Sequence, residues 1–244
     1  MRKSVKLMLA LKKCEFRIKD KGLTLKDKRF IMRFVVFTFA VWCCTSVWAQ
    51  GLKDAYKDYF MIGVAVNQRN VVNAEQSALV KQEFNSMTAE NDMKPEPTEP
   101  REGEFNWTSA DRIANFARQN GIKLRGHCLM WHSQIGKWMY EDNPTKEVFF
   151  KRMRNHIHTI VNRYKDVIYC WDVVNEAMAD GPDRPTFNRE TRKMEAPNPY
   201  RQSRLYELCG DEFIAKAFEF AAKYAGPNCL LFYNDYNAAN PGKR

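Results

Sequence analysis

Val167-Ile168-Tyr169-Cys170-Trp171-Asp172-Val173-Val174-Asn175-Glu176 is the stretch whose reading decides the fold. Residues 167–174 are rich in β-branched and aromatic side chains, the composition of a strand. The run is mostly apolar and ends abruptly in a carboxamide and a carboxyl. A buried strand here delivers two polar side chains next to each other at its mouth. The same design recurs on either side. Residues 60–66 form a short apolar run ending at Asn67, residues 84–89 lead into Glu90-Asn91-Asp92, residues 122–132 carry His127, Trp131 and His132, and residues 229–233 end in Asn234-Asp235-Tyr236-Asn237.

Helices are expected between these runs. Residues 73–84 read as a helix with Asn73 as N-cap. Residues 109–120 place Ile113, Phe116 and Ala117 on one face, and Gly121 stops the helix. Residues 145–164 form a long amphipathic helix, and residues 211–224 form a helix ended by Gly226-Pro227. Five strands alternating with four helices predict an α/β fold with a parallel sheet. Polar residues gather after each strand, the end where a (β/α)-barrel keeps its active site. A doubly wound open sheet is the alternative, and it would need a ligand crevice at one switch point. The stretch 180–202, rich in Pro and charge, has no readable role.

The chain has 244 residues and a formal charge of +10. Residues 1–49 hold 12 Lys/Arg against 3 Asp/Glu, and the rest hold 27 against 26. The body is close to neutral, which argues against a nucleic-acid partner. Within the leader, Arg33, the apolar run 34–42 and Val47-Trp48-Ala49 predict a secretory signal peptide over 32–49, with an uncleaved anchor as the alternative. Residues 1–31 read as an upstream extension and residues 50–244 as the catalytic part. Of the seven cysteines, Cys128, Cys170, Cys209 and Cys229 lie in the body. An exported protein could pair them. Cys128, Cys170 and Cys229 sit in apolar runs, where a free thiol behaves as a small hydrophobe.

The strand ends carry chemistry. A glycosidase needs a carboxylic acid that protonates the leaving oxygen, and Glu176 is the candidate. Asn175 can bond the 2-hydroxyl of the reacting sugar. His127 and Trp131 offer an imidazole for hydroxyls and a ring face for a sugar. Glu90, Asn91 and Lys94 make a hydroxyl-binding cluster, with a surface salt bridge as the alternative. His127 and His132 are five apart with no third ligand in sight, so neither a metal nor another cofactor is expected. His156 and His158 read as packing or surface residues of the long helix.

Four ordered motifs resemble glycoside hydrolase family 10. They are Ser86-x-Thr88-x-Glu90-Asn91-x-Met93-Lys94, Arg125-Gly126-His127-x-Leu129-x-Trp131-His132-Ser133-Gln134, Trp171-Asp172-Val173-Val174-Asn175-Glu176 and Tyr233-Asn234-Asp235-Tyr236-Asn237. The resemblance covers about residues 51–244. It implies a (β/α)8 TIM barrel, of which about the first five βα units are here, and a retaining endo-1,4-β-xylanase. It implies Glu176 as acid/base with Asn175 supporting it, and His127 and Trp131 lining the same subsite. Glu90, Asn91, Lys94 and Gln134 would bind sugars on the non-reducing side, and Asn234, Tyr236 and Asn237 would face the aglycone. Trp107, in an FNW stretch, would be structural.

The family's nucleophile is a Glu in a Thr-Glu-Leu-Asp-like setting on the seventh strand, and no Glu of this chain occupies one. A retaining mechanism needs that second carboxylate. The polypeptide alone is therefore expected to be inactive and poorly stable. The expected partner is xylan or a xylo-oligosaccharide, acted on by a monomeric, secreted or periplasmic protein with no membrane attachment after signal cleavage. A non-catalytic xylan-binding remnant is the alternative.

Overall fold

A computed structural model describes residues 50–180 and 185–239. The expectations for residues 1–31 and 32–49 lie outside the described residues. Helix α1 (Leu52–Ala55) precedes strand β1 (Gly63–Val66), followed by α2 (Gln68–Val72), α3 (Ala74–Glu83) and β2 (Ser86–Ala89). Then come α4 (Pro95–Thr98), α5 (Thr108–Asn120), β3 (Lys123–Trp131), a 3-10 turn (Lys137–Tyr140), α6 (Lys146–Tyr164) and β4 (Ile168–Asn175). A short hairpin, β5 (Thr186–Asn188) and β6 (Lys193–Glu195), precedes α7 (Arg204–Cys209), α8 (Glu212–Ala225) and β7 (Leu230–Asn234).

The main sheet has the order β1-β2-β3-β4-β7, parallel throughout. Spatial order follows chain order without reversal. A doubly wound sheet reverses its order at a switch point, so that alternative is excluded. What remains is the arrangement of a (β/α) barrel over its first five strands. All strand C-termini lie at one end, so the polar residues after them share that end. No helix among the described residues is long and apolar enough to cross a membrane.

The elements form for local reasons. Asn73 caps α3 by accepting from Gln76 N, and Thr145 caps α6 by accepting from Val148 N. Gly121 ends α5 at φ 62°, a conformation open to glycine at little cost. Strand β1 begins later than its apolar run suggested. Asn85 Oδ1 accepts from Ile62 N at 2.8 Å, while Ile62 O accepts from Asn85 N and Ser86 N. A side chain thus takes the ladder position at Ile62, and Tyr59 and Phe60 stay exposed.

The core lies between the sheet and α5, α6 and α8. Met87, Leu124, Ile113, Ile157, Ile160 and Trp171 are all buried. Trp171 packs flat on the backbone of β3: a Cβ added at Gly126 would meet Trp171 Cε3 at 2.2 Å. Only glycine fits there, and a larger residue would push β3 and β4 apart. Trp107 is structural as expected, stacked on Phe105 and edge-on to Tyr164. Cys128, Cys170 and Cys209 are buried free thiols. Cys229 corrects the expectation, because it precedes β7 and is only half-buried. Burial still pushes its thiol up to about 11, and that of Cys209 up to about 12. Thiols held so high are poor nucleophiles at neutral pH.

Candidate active site

Glu176 sits one residue past β4. Its carboxylate is partly buried, and Oε2 accepts from Trp131 Nε1 at 2.9 Å. The indole comes from the end of β3, the neighbouring strand, in register with Asn175. Lys94 approaches from the other side. Its ammonium lies 4.2 Å from the centre of the Trp131 ring and donates to Asn91 Oδ1 at 2.8 Å. Lys94 is 6 % exposed, so the reading of a surface salt bridge fails. Burial holds its pKa below the ordinary lysine value, opposed by the charges of Glu176 and Glu90. Glu90 is exposed and reaches Lys94 by field rather than by a hydrogen bond.

Asn175 is buried, and its Oδ1 accepts from Asn234 Nδ2 at 2.8 Å. That bond joins the ends of β4 and β7. Gln134 is tied through its backbone to the helix that follows Lys94, since its carbonyl accepts from Glu96 N at 3.0 Å, and no hydrogen bond joins it to Glu176. His127 lies one strand over and meets Asp172 Oδ2 through Nδ1 at 2.9 Å. Tyr236 stands further out, bonded through its hydroxyl to Asp180 and, at 3.2 Å, to Arg201. Asn237 is exposed beyond β7 at φ 56°, and no hydrogen bond joins it to Glu176.

Three residues with structural claims on the site were given no role by the sequence reading, and a fourth, His132, was weighed there only beside His127. Asp172 is almost wholly buried and takes Arg125 in a forked ion pair as well as His127. An acid inside an apolar strand is buried only when paired, and that rule could have flagged it. Tyr233 accepts from Ala177 N and Met178 N at 3.0 and 3.1 Å. Arg201 donates through Nε to the main-chain carbonyl of Glu176 at 2.9 Å. His132 packs edge-on against Trp131, and its Nδ1 is buried without a partner. No spacing in the sequence announces Tyr233 or Arg201, because these partners are main-chain atoms 25 or more residues away.

Glu176 also has φ 55°, in the left-handed region. A side chain other than glycine there costs about 1–3 kcal/mol, and such outliers gather at functional sites. The surroundings hold it: Glu176 N donates to Asn234 O at 2.9 Å, opposite the Arg201 bond to its carbonyl. The arrangement gathers one carboxyl, an indole, an ammonium and two carboxamides at the C-terminal end of the sheet. That set can bond several hydroxyls and move one proton.

Comparison with known proteins agrees with this fold. The model of glycosyl hydrolase family 10 matches residues 51–244. An endo-1,4-beta-xylanase/feruloyl esterase of Xylanibacter ruminicola is 60% identical over 198 residues, spanning 80% of this chain and 27% of that protein. A beta-1,4-xylanase of Dictyoglomus thermophilum is 42% identical over 193 residues, spanning 79% and 49%. A solved psychrophilic family 10 endo-beta-1,4-xylanase superposes with a TM-score of 0.72 at 62% identity, covering 80% of this chain and 59% of its own. The chain thus spans about half or less of the length of the curated relatives named here. The match over residues 51–244, the in-order parallel sheet and the polar ends of its strands place the chain in glycosyl hydrolase family 10.

Proposed function

We propose that the full-length protein is an endo-1,4-β-xylanase that cleaves β-1,4-xylosidic bonds in xylan with retention of configuration. The observation that supports this most is the Glu176 carboxylate at the mouth of β4, bonded to Trp131 and flanked by Lys94 and Asn175. Glu176 acts as acid and then as base. With an indole donor on Oε2, Oε1 is the oxygen that carries the proton to the glycosidic oxygen. The same carboxylate then takes a proton from the water that hydrolyses the glycosyl-enzyme.

Asn175 has its carbonyl oxygen occupied by Asn234. Its NH2 group is therefore the donor offered to the 2-hydroxyl of the reacting sugar. Lys94, Asn91, Glu90 and Gln134 bind the sugars on the non-reducing side. Trp131 and His127 line the cleaved unit. Asp172, bonded to His127 Nδ1, leaves Nε2 to the substrate. Asn234, Tyr236 and Asn237 face the leaving portion. Retention requires a second carboxylate about 5–5.5 Å from the first, and the full-length protein supplies it from outside residues 1–244. The protein works as a secreted or periplasmic monomer, with no nucleic-acid or membrane partner once the signal is removed.

The test is Glu176→Gln in the full-length protein. Hydrolysis of unactivated xylan should fall by roughly 10²–10⁴-fold, the share of general acid–base catalysis. Cleavage of an aryl xyloside with an acidic leaving group should lose much less in its first step. Activity on xylan equal to the parent would remove Glu176 from the mechanism. Retarded migration in xylan gels without any release of sugar by the parent would favour a binding remnant.

A further inference from the structure

The strained backbone at Glu176 is bonded from both sides, and the second side is a charged group with no part in the chemistry proposed above. Arg201 lies 25 residues downstream, beyond the hairpin of β5 and β6. Its Nε donates to Glu176 O at 2.9 Å. Its two terminal nitrogens grip Asp180 at 2.7 and 2.6 Å, which fixes the plane of the guanidinium. The Asp180 bonds are also the main reason that its pKa stands above the ordinary arginine value. The main chain around Arg201 is tied to the same segment: Arg201 N donates to Ala177 O at 2.8 Å, and Ala179 N donates to Pro199 O at 2.9 Å. On the opposite flank, Asn234 O and the Tyr233 hydroxyl take the N–H groups of residues 176, 177 and 178.

A planar fork that bonds a carboxylate on one edge and a carbonyl on the other sets the direction of that carbonyl. The carbonyl in turn sets ψ of Glu176, and with φ held by the Asn234 bond the Cα–Cβ bond has one direction, from which the carboxylate reaches Trp131 Nε1. We propose that Arg201 is a positioning residue for Glu176, acting through the main-chain carbonyl, and that Asp180 holds Arg201 in register for it. The inference rests on the reading of Glu176 as the acid/base. It assigns to Asp180 and Arg201, which lie at the two ends of a stretch unreadable in sequence, the task of aiming the proton donor.

The experiment uses the full-length protein with Arg201→Met, Arg201→Lys and Asp180→Asn beside Glu176→Gln. Each is measured on a xylo-oligosaccharide and on an aryl xyloside with an acidic leaving group, and azide is added as an external nucleophile. Arg201→Met should lower kcat on the oligosaccharide by about tenfold to 100-fold, the scale of an ångström-sized misplacement. KM should change by less than about threefold, since the interaction is absent from ground-state binding. The aryl substrate should lose less in its first step, because its leaving group departs without a proton. Azide should restore turnover on it, as for Glu176→Gln, by replacing the misplaced base. Asp180→Asn should show the same pattern more weakly, and it covers the case in which Arg201→Met fails to fold.

Equal proportional losses on both substrates, with no azide effect, in either variant would overturn the proposal and mark Arg201 as merely structural. If Glu176→Gln itself retains the parent's activity on the oligosaccharide, the acid/base reading fails and this inference falls with it. If Glu176→Gln shows the leaving-group dependence and both Arg201→Met and Asp180→Asn behave as the parent, only the positioning role is lost.

Discussion

Residues 90–107 and the described residues of 176–203 both leave the C-terminal end of a strand beside the Glu176 carboxylate, yet one segment is tied down under cover and the other near the surface. The first turns on Glu99, which is 2 % exposed. One of its carboxylate oxygens meets His156 Nδ1 at 2.7 Å, and the other accepts from Gly103 N at 2.8 Å. Its main-chain carbonyl takes Trp138 Nε1 at 2.7 Å. The second segment turns on the Arg201–Asp180 pair, whose acid is about half exposed. A buried pair cannot exchange its partner for water, while an exposed pair can. The side of Glu176 that carries Lys94 and Asn91 is therefore built on a rigid support. The opposite side is built on contacts that water can replace, and so it is the side whose local stability is lower.

The strongest way to break that contrast is Glu99→Ala. It strips His156 and Gly103 of their acceptor inside the protein. Each buried donor left without an acceptor costs about 1–3 kcal/mol, and equilibrium urea unfolding of the full-length protein should show a loss of at least that size. Glu99→Gln keeps the shape and one acceptor and should cost less. A loss below about 1 kcal/mol for Glu99→Ala, the figure for an exposed pair, would erase the difference between the two segments. On the exposed side, Asp180→Asn should change unfolding free energy by about 0–1 kcal/mol. A cost near that of Glu99→Ala would place the 176–203 segment on equally rigid ground.

The sequence was informative about the two segments to different degrees. Glu90, Asn91 and Lys94 were legible because they follow a strand at short spacing, and a polar cluster in that place is a known sign of a site. Glu99 and His156 were not, because a pair 57 residues apart leaves no local pattern. His156 and His158 sit two apart on α6 and fall on different faces of the helix. The first is buried against Glu99 and the second lies edge-on to Tyr224. Strands and long helices were legible to within a few residues because their period and caps are local. The short helices α1, α2, α4 and α7 span four to six residues, too few for a period to show. The hairpin was missed for another reason. Its turn is made by Asn188 Oδ1 accepting from Glu190 N and Thr191 N, with Arg192 at φ 54° in place of a glycine.

The two histidines sharpen the contrast at its smallest scale. His156 has an acid beside it under the first segment, whereas His132 faces the second segment without a partner for its Nδ1. Burial pushes the pKa of His132 down, and the Arg201 charge pushes it further, against weaker opposition from Glu176, Asp180 and Asp235. A histidine whose folded pKa lies below its unfolded value binds fewer protons in the folded state. Its neutral form is therefore favoured by folding, and the protein loses stability as pH falls below the unfolded value of about 6.5 toward the folded one. The loss ends once both states are protonated. Unfolding measured at several pH values across that window should show stability rising with pH, and His132→Asn should flatten the part of the slope that this residue carries. The Arg201 contribution can be separated, because Arg201→Met removes a positive charge and should raise the His132 pKa, narrowing the window. If the slope survives His132→Asn unchanged, the histidine titrates alike in both states, and the second segment exerts no field on the site it borders.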